Sequence, residues 1–427
     1  METNSNTPSF LRVTIHSLEA QGEGRFDDLQ GPIYVPKALP NEIIDGELYW
    51  RRGRQRALRI KEIIQASPDR AEAICPYYDR CGGCSLQHLT VEAYQSYKLN
   101  LAKKTFQLHG LNIDMDVHYW GQPGQRRRVS LSYRHERAGM KIGFYAQHSD
   151  FLVGIEQCPL LTPSLNKLLE PLKVFLATIV PMRAEGFVHL TETLTGIDLS
   201  WSPHRFRHTD LTNDLWQAWG QFAIQHHIAR VTRAAKELLL EREKPYISFH
   251  GHRIAFPPAA FLQPSLASEQ AMSGLLTQWL QAAELPVKAK IADLFCGLGT
   301  FSFPSRVFGV VTSIDCDGPS VTALQEASSH QWSVIKRDLF KDPLTAQELD
   351  EFDVVILDPP RAGAYEQAQQ LAQTSVDHII MVSCDLSTCA RDLKVLLNAE
   401  YYIESAKIFD QFPFTPHLEA MIWLKRR

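Results

Sequence analysis

From about residue 252 onward, short apolar runs alternate with amphipathic stretches. The runs fall at 289–295, 310–314, 334–338, 354–357 and 378–382, with a last one at 421–424. Continuous apolar runs of strand length mark strands buried on both faces, and helical stretches between them mark βαβ units in a mostly parallel sheet. The front of the chain reads differently. Extended segments at 10–18, 33–35, 46–50 and 58–64, with a Gly-containing turn at 21–24, recur at the spacing of a small barrel. Between these two regions, 91–109 carries Tyr94, Tyr97, Leu101 and Phe106 near a 3.6-residue period and predicts a helix. Segments 128–133 and 141–145 alternate like strands, and 162–182 and 214–240 read as helices. The pattern predicts three domains: an oligonucleotide-binding type barrel over 1–66, a central α+β domain over 67–251, and a Rossmann-like α/β domain over 252–427.

A length of 427 residues agrees with more than one core. The first ten residues carry neither a basic nor an apolar signal region, and the longest apolar stretch, 171–182, is too short to span a bilayer. A cytoplasmic protein with no membrane association is expected. Thiols stay reduced there, so the eight cysteines read as ligands, catalysts or core fillers rather than disulfides. The net charge of −4 hides an asymmetry. Residues 51–61 hold six basic and no acidic side chains, and 98–141 hold nine basic and three acidic. Residues 254–427 hold thirteen basic and twenty-one acidic. That division predicts an RNA grip in the front half, through Arg51, Arg52, Arg54, Arg56 and Arg126, Arg127, Arg128, with chemistry in the back half.

Four constellations carry chemistry. Cys75, Cys81 and Cys84, with Gly82 and Gly83 between the last two, are joined by a remote Cys158. Four thiolates can hold zinc or a [4Fe–4S] cluster; zinc favours two close pairs, so a triplet plus one distant cysteine favours the cluster. Asp293-Leu-Phe-Cys-Gly-Leu-Gly299 ends the first strand of the last domain, and Asp315 ends the next. A glycine turn admits a ligand to the backbone and a strand-end acid binds ribose hydroxyls. Ser302 stands where a dinucleotide fingerprint needs its third glycine, and Asp338 ends the third strand, which favours S-adenosylmethionine over NAD. Asp358-Pro-Pro-Arg361 forms a rigid ledge for a flat base. Cys384, at the end of the 378–382 run, and Glu419 supply a thiol and a carboxylate. Methylating C5 of uracil needs both: a thiolate must add at C6 to make C5 nucleophilic, and a base must then remove the C5 proton. Cys296, Cys316 and Cys389 are the thiols to compare, and Cys389 reads as packing.

At these residues the chain resembles the RlmD/RumA group of RNA uracil-5-methyltransferases over nearly its whole length. The shared signatures are Cys81-Gly-Gly-Cys84, Gln125-Arg-Arg-Arg-Val129, Gln157-Cys-Pro159, Phe261-Leu-Gln263, Asp293 to Gly299, Leu357 to Arg361, Val382-Ser-Cys384 and Pro416-His-Leu-Glu419. The resemblance implies a TRAM-type RNA-binding barrel at 1–66 and a [4Fe–4S] cluster on Cys75, Cys81, Cys84 and Cys158. It implies Cys384 as nucleophile, Glu419 as base, and a methyl-donor site from Gln263, Phe295, Thr300, Asp315, Asp338 and Asp358. The expected substrate is 23S rRNA, with tRNA as the alternative, and the expected state is a monomer. Two other classes fit less well: a non-catalytic RNA-binding protein would not need Cys384 and Glu419, and a radical-S-adenosylmethionine enzyme uses CxxxCxxC. Three positions depart from the family pattern: Asp385-Leu386 stands for Asn-Pro, Thr300 for Asn and Asp338 for Asn. Asp385 places an anion beside the thiol, which disfavours the thiolate unless that acid is paired.

Overall fold

The computed structural model describes residues 10–51, 55–204, 213–328 and 332–427. Its contacts divide the chain into two compact units: residues 1–101 with 143–155 and 414–416, and residues 102–142 with 156–413 and 417–427.

In the first unit, six strands form one sheet: β1 (Phe10–Thr14), β2 (Ser17–Leu18), β3 (Glu23–Asp28), β4 (Gly31–Pro36), β5 (Ile43–Trp50) and β6 (Arg56–Gln65). Their order is β1-β5-β6-β4-β3-β2. The two end strands are separated only by Ile15 and His16, whose amides donate to Glu42 and Arg25 carbonyls on opposite sides. The sheet therefore curls round onto itself. Alternate residues point inward, and Val13, Ile15, Phe26, Ile33, Val35, Ile44 and Leu58 fill the interior.

The sequence-expected basic grip is altered by this packing. Arg51 is buried and donates to Glu23 at 2.9 Å, and the Arg56 guanidinium pairs with Asp28. Both hold the barrel together instead of facing solvent. Arg52 and Arg54 lie outside the described residues. On the open surface stand Arg59, over the Tyr49 ring at 5.3 Å, Lys61, and the 63% exposed Trp50.

The second unit carries two larger sheets. After β7 (Asp116–Trp120) comes β8 (Arg128–Glu136); β9 (Gly139–Tyr145) begins in this unit, whereas β10 (Leu152–Gly154) belongs to the first. Next are β11 (Glu185–Thr193), β12 (Gly196–Pro203), β13 (Ile228–Arg233) and β14 (Glu237–Glu241). β8-β11-β12-β13-β14 make a mixed sheet packed on the helices Pro163–Ile179 and Asn213–Gln225. The helix expected over 214–240 stops at Gln225. His227 adopts φ +54, and the chain turns back as β13, parallel to β12, and β14. Ile228, Ala229 and Val231 are fully buried there, so a sheet core outweighed the local helical pattern.

The last sheet has eight strands. After the small hairpin β15 (Tyr246–Phe249) and β16 (His252–Ala255) come β17 (Ala289–Leu294), β18 (Gly309–Asp315), β19 (Trp332–Lys336), β20 (Val354–Leu357), β21 (His378–Ser383), β22 (Tyr401–Asp410) and β23 (Glu419–Arg426). The order is β19-β18-β17-β20-β21-β23-β22-β7. β17 to β21 are mutually parallel, whereas β23 runs antiparallel between β21 and β22. Val354 to Leu357 are all buried, as continuous apolar strands in a covered parallel sheet should be.

The buried pairing in the barrel makes a testable contrast. Arg51→Ala strands the buried Glu23 carboxylate and is expected to cost roughly 3–5 kcal/mol, the range for breaking a buried pair. Arg59→Ala, at an exposed site, should stay within about 0.5 kcal/mol. Urea unfolding of both variants measures the difference; equal small effects would mean Arg51 is a surface cation after all.

Candidate active site

Asp315, Asp338, Asp358 and Cys384 fall at or just past the carboxyl ends of the parallel strands, where open α/β sheets bind ligands. Register explains how thiol and carboxylate meet. β21 pairs with β23 antiparallel through Ser383 opposite Ala420. The next residue on one strand is Cys384, and on the other Glu419. Both therefore emerge side by side at the sheet edge. Cys384 is half-buried and Glu419 is 3% exposed. On the neighbouring strand, Asp358 follows β20 and its amide donates to Leu294 O at 3.2 Å.

The electrostatics are dominated by burial and by acids crowding acids. Burial, then Glu419, then Asp358 push the Cys384 thiol up to about 11, while Arg361 pulls it down. Glu419 is pushed up to about 7 by burial, against a hydrogen bond from Gln411 and the charge of Arg361. Asp358 is raised by burial first, and then by Glu419, Asp293 and Asp315. As it stands, the site is short of positive charge and keeps its thiol protonated.

Asp385 does not act on the thiol as its position in sequence suggests. It is the N-cap of the helix Leu386–Leu397, accepting from the Ser387 amide at 3.0 Å and the Thr388 amide at 3.1 Å. Asp and Asn cap equally well, and an anion suits a helix N-terminus, so the departure from the family's Asn is accommodated. Cys389, one turn into that helix, is 2% exposed, and Cys296 is 6% exposed. Both are closed off from solvent, whereas Cys384 is only half-buried. Cys316 is exposed.

Beside this edge lies a cradle made by the turn after β17. Phe295 adopts φ +61, Gly297 φ +52 and Gly299 φ +88. At φ +88 Gly299 holds a backbone conformation that favours glycine, and a Cβ there would also lie 2.9 Å from the tip of Leu324. A non-glycine residue such as Phe295 held at positive φ is a strain that clusters at ligand sites. Asp315 accepts the Gly297 amide at 2.9 Å and the Asp317 amide at 2.8 Å, which fixes its carboxylate across the turn. Asp338 is bridged to Lys341 at 2.7 Å. Thr300 follows the glycines, and its carbonyl accepts from Ser273 at 3.3 Å. The Phe295 ring faces Phe340, centroids 5.3 Å apart. Phe340, 47% exposed, escaped the sequence reading although it lies two residues past Asp338. Asp293 stands behind the turn, buried, bonded to Ser302, with one oxygen unpaired and its acidity lowered by burial to a pKa of about 7. It supports the turn rather than lining its surface.

Gln263 is 3% exposed, and its side-chain oxygen has no partner. Its carbonyl accepts from Arg127, which is itself locked to Glu269 at 2.5 Å in the interior. Arg128 donates to Leu262 O at 3.3 Å and lies over the Phe261 ring at 5.2 Å. Of the second expected basic cluster, then, Arg127 and Arg128 brace the segment around Gln263. Arg126 also donates locally, to Arg128 O at 3.0 Å.

The cysteine loop belongs to the first unit as far as Cys84. Cys75, Cys81 and Cys84 are each half-buried, and all three lie within electrostatic reach of the Lys37 ammonium. The Gly83 amide points at the Cys81 sulfur at 3.4 Å. A side chain on Gly82 would meet Tyr145 O at 2.6 Å, so the loop backbone lies flat against that strand. In the second unit, Cys158 is held on both sides by Asn166, at 2.8 and 2.9 Å. Soft thiol donors beside a cation and an amide suit an anionic iron–sulfur cluster in chemistry. Among the described residues, no group of three or more His, Cys, Asp or Glu side chains is arranged to hold a metal ion. No described helix is long and apolar enough to cross a membrane.

A parallel sheet with a glycine turn after its first strand, and acids at successive strand ends, defines an α/β domain of the methyltransferase type. Comparison with known proteins carries this further. Residues 336–427 match the family model described as tRNA (Uracil-5-)-methyltransferase. An RNA methyltransferase of Agrobacterium fabrum, uncharacterized by its own name, is 34% identical over 97% of this chain and 99% of its own length. The 23S rRNA (uracil(1939)-C(5))-methyltransferase RlmD of Erwinia tasmaniensis is 30% identical over 99% of this chain and 97% of its own. The crystal structure of a Pyrococcus abyssi tRNA (uracil-54, C5)-methyltransferase, solved with S-adenosyl-L-homocysteine, superposes with a TM-score of 0.69 at 21% identity. It covers 97% of this chain and 99% of its own, and shows the same fold. The chain belongs to the RNA uracil-5-methyltransferase family.

Because the Glu419 charge helps hold the Cys384 proton, Glu419→Gln is expected to lower the thiol's pKa from about 11 while leaving it above that of an ordinary cysteine, since burial remains. The pH dependence of iodoacetamide labelling at Cys384 measures it. A midpoint unmoved by the substitution would show that the carboxylate does not face the thiol.

Proposed function

We propose that this protein methylates C5 of a uridine in 23S rRNA, with Cys384 as nucleophile, Glu419 as base and S-adenosylmethionine as methyl donor. The observation that carries the reading is the register that puts Cys384 and Glu419 next to each other at the sheet edge. The choice of 23S rRNA rests on the 30% identical relative of that name, which matches along nearly its whole length. The family model's tRNA description supports tRNA as the second reading.

The chemistry follows from the residues. The Cys384 sulfur adds to C6 of the uracil ring, and the electron pair of the C5=C6 bond moves into the C4 carbonyl as an enolate. C5 is then the nucleophile that takes the methyl group. Glu419 next accepts the C5 proton; the C–H electron pair re-forms C5=C6, and the C6–S bond breaks to release the thiolate. The donor supplies an electrophilic methyl group on a positively charged sulfur. Asp315 would accept from its ribose hydroxyls, and the Phe295 and Phe340 rings would hold its adenine. A cation brought into this acid-rich edge also favours the ionised forms of Cys384 and Glu419. Asp358, Gln263, Thr300 and Asp338 complete the donor and base surroundings. In the first unit, the curled sheet is read as a TRAM-type barrel that meets RNA through Trp50, Arg59 and Lys61. Cys75, Cys81, Cys84 and Cys158 would hold a [4Fe–4S] cluster, away from the methyl-transfer steps.

Two variants separate the steps. Cys384→Ala should abolish methylation of unmodified 23S rRNA, because C5 never becomes nucleophilic. Glu419→Gln should methylate but fail to eliminate, and so accumulate a slow-migrating RNA–protein band on a denaturing gel. Activity near wild type in Cys384→Ala would reject the thiol assignment, and tRNA assayed in parallel decides between the substrates. For the cluster, anaerobically purified protein should be brown and carry about four irons per chain. Stoichiometric zinc without iron would reject that assignment.

A further inference from the structure

Gln411 immediately follows β22, and Phe409, two residues earlier, is the partner of Glu419 across the β22–β23 ladder. Residues two apart on a strand share a face, so the Gln411 side chain emerges diagonally beside Glu419. Its Nε2 donates to Glu419 Oε2 at 2.5 Å, and both side chains are only 3% exposed. The backbone here is tied down, with the Gly121 amide donating to Asp410 O at 2.8 Å. At the other end of the same amide, Gln411 Oε1 is buried with no partner. A buried amide left half-satisfied costs stability and calls for an explanation in function.

We propose that Gln411 is a positioning residue for the elimination step: its amide holds the Glu419 carboxylate in the orientation from which it takes the C5 proton. The inference rests on Glu419 being that base. A free carboxylate in a buried edge has several rotamers, and most of them point away from a substrate carbon. One short hydrogen bond from a tethered amide selects among them. The same donation favours the ionised carboxylate, the form that can accept a proton. The other charged or titratable groups facing Glu419 are Asp358 after β20, Arg361 on the following turn, and Cys384 and Cys389 after β21. Of these only Arg361 also favours the ionised form, so loss of the amide is not made up by a second hydrogen-bond donor.

In elimination the C5–H bond breaks towards Glu419, the pair re-forms C5=C6, and the C6–S bond breaks. Gln411 enters only there; addition of the thiolate and methyl transfer precede it. Gln411→Met keeps the volume and removes the donor, whereas Gln411→Asn keeps an amide but shortens its reach. In single turnovers on unmodified 23S rRNA, both variants should form the methylated adduct within about twofold of wild type. Adduct decay should slow roughly tenfold or more, the scale of a lost hydrogen bond to a charged group. The acid limb of the decay rate should also move to higher pH, because Glu419 without its donor ionises later. A merely structural role would lower both phases together and leave the pH midpoint in place. Wild-type decay with a wild-type pH profile in both variants overturns the proposal. Glu419→Gln run alongside keeps the two readings apart. If it traps adduct while the Gln411 variants behave as wild type, only Gln411 is misassigned; if it traps none, the base assignment itself fails.

Discussion

Everything at the active edge depends on one pairing, the antiparallel ladder between β21 and β23. In an all-parallel sheet, neighbouring strands present their carboxyl ends together, and residues from the start of a later strand lie at the opposite edge. Reversing β23 brings its first residue, Glu419, to the carboxyl end of β21, beside Cys384. A one-residue slip in this ladder would turn the Glu419 side chain to the other face of the sheet. The buried run from Ala420 to Leu424 ends at the partly exposed Lys425, so a slip that drew the strand inward would bury that charge. Hydrophobic packing thus sets the geometry of a polar pair.

The second constraint is charge. Glu419 and Asp358 crowd one half-buried thiol, Asp293 and Asp315 act in turn on Asp358, and burial raises the pKa of Asp293, Asp358 and Glu419. Such a site resists holding a thiolate until positive charge arrives. On the proposed function, a sulfonium donor would bring that charge when the nucleophile is needed, which would link donor occupancy to thiol activation. Arg361, close enough to act on both Cys384 and Glu419, is the protein's own contribution in the same direction. Asp385, which by sequence alone would deepen the imbalance, is turned away into a helix cap.

The back half was legible because its strands are continuous apolar runs with the candidate motifs at their ends, so motif and position coincide. Asp315, Asp358 and Cys384 each stand at a strand terminus for that reason. Charge was less legible, since a sequence lists cations without their partners. Arg51, Arg56 and Arg127 read as an RNA surface but are buried in ion pairs with Glu23, Asp28 and Glu269. The segment 226–240 read as helix because its periodicity is local, while the sheet it joins is built from strands far away in sequence. Gln411 and Phe340 carried no signal by themselves. Each gains its proposed role only through a partner, Glu419 for one and Phe295 for the other, that folding brings beside it.

The central claim is that Cys384 forms the bond to the pyrimidine, and it can be read directly. Wild-type protein with its methyl donor, given 23S rRNA that carries 5-fluorouridine, should stall as a covalent complex, since fluorine cannot leave C5 as a proton would. Protease and nuclease digestion followed by tandem mass spectrometry then locates the nucleotide on the chain. The account predicts a methylated 5-fluorouridine on Cys384. A nucleotide on Cys389 or Cys296, or a stalled complex with no bond to any cysteine, would contradict it.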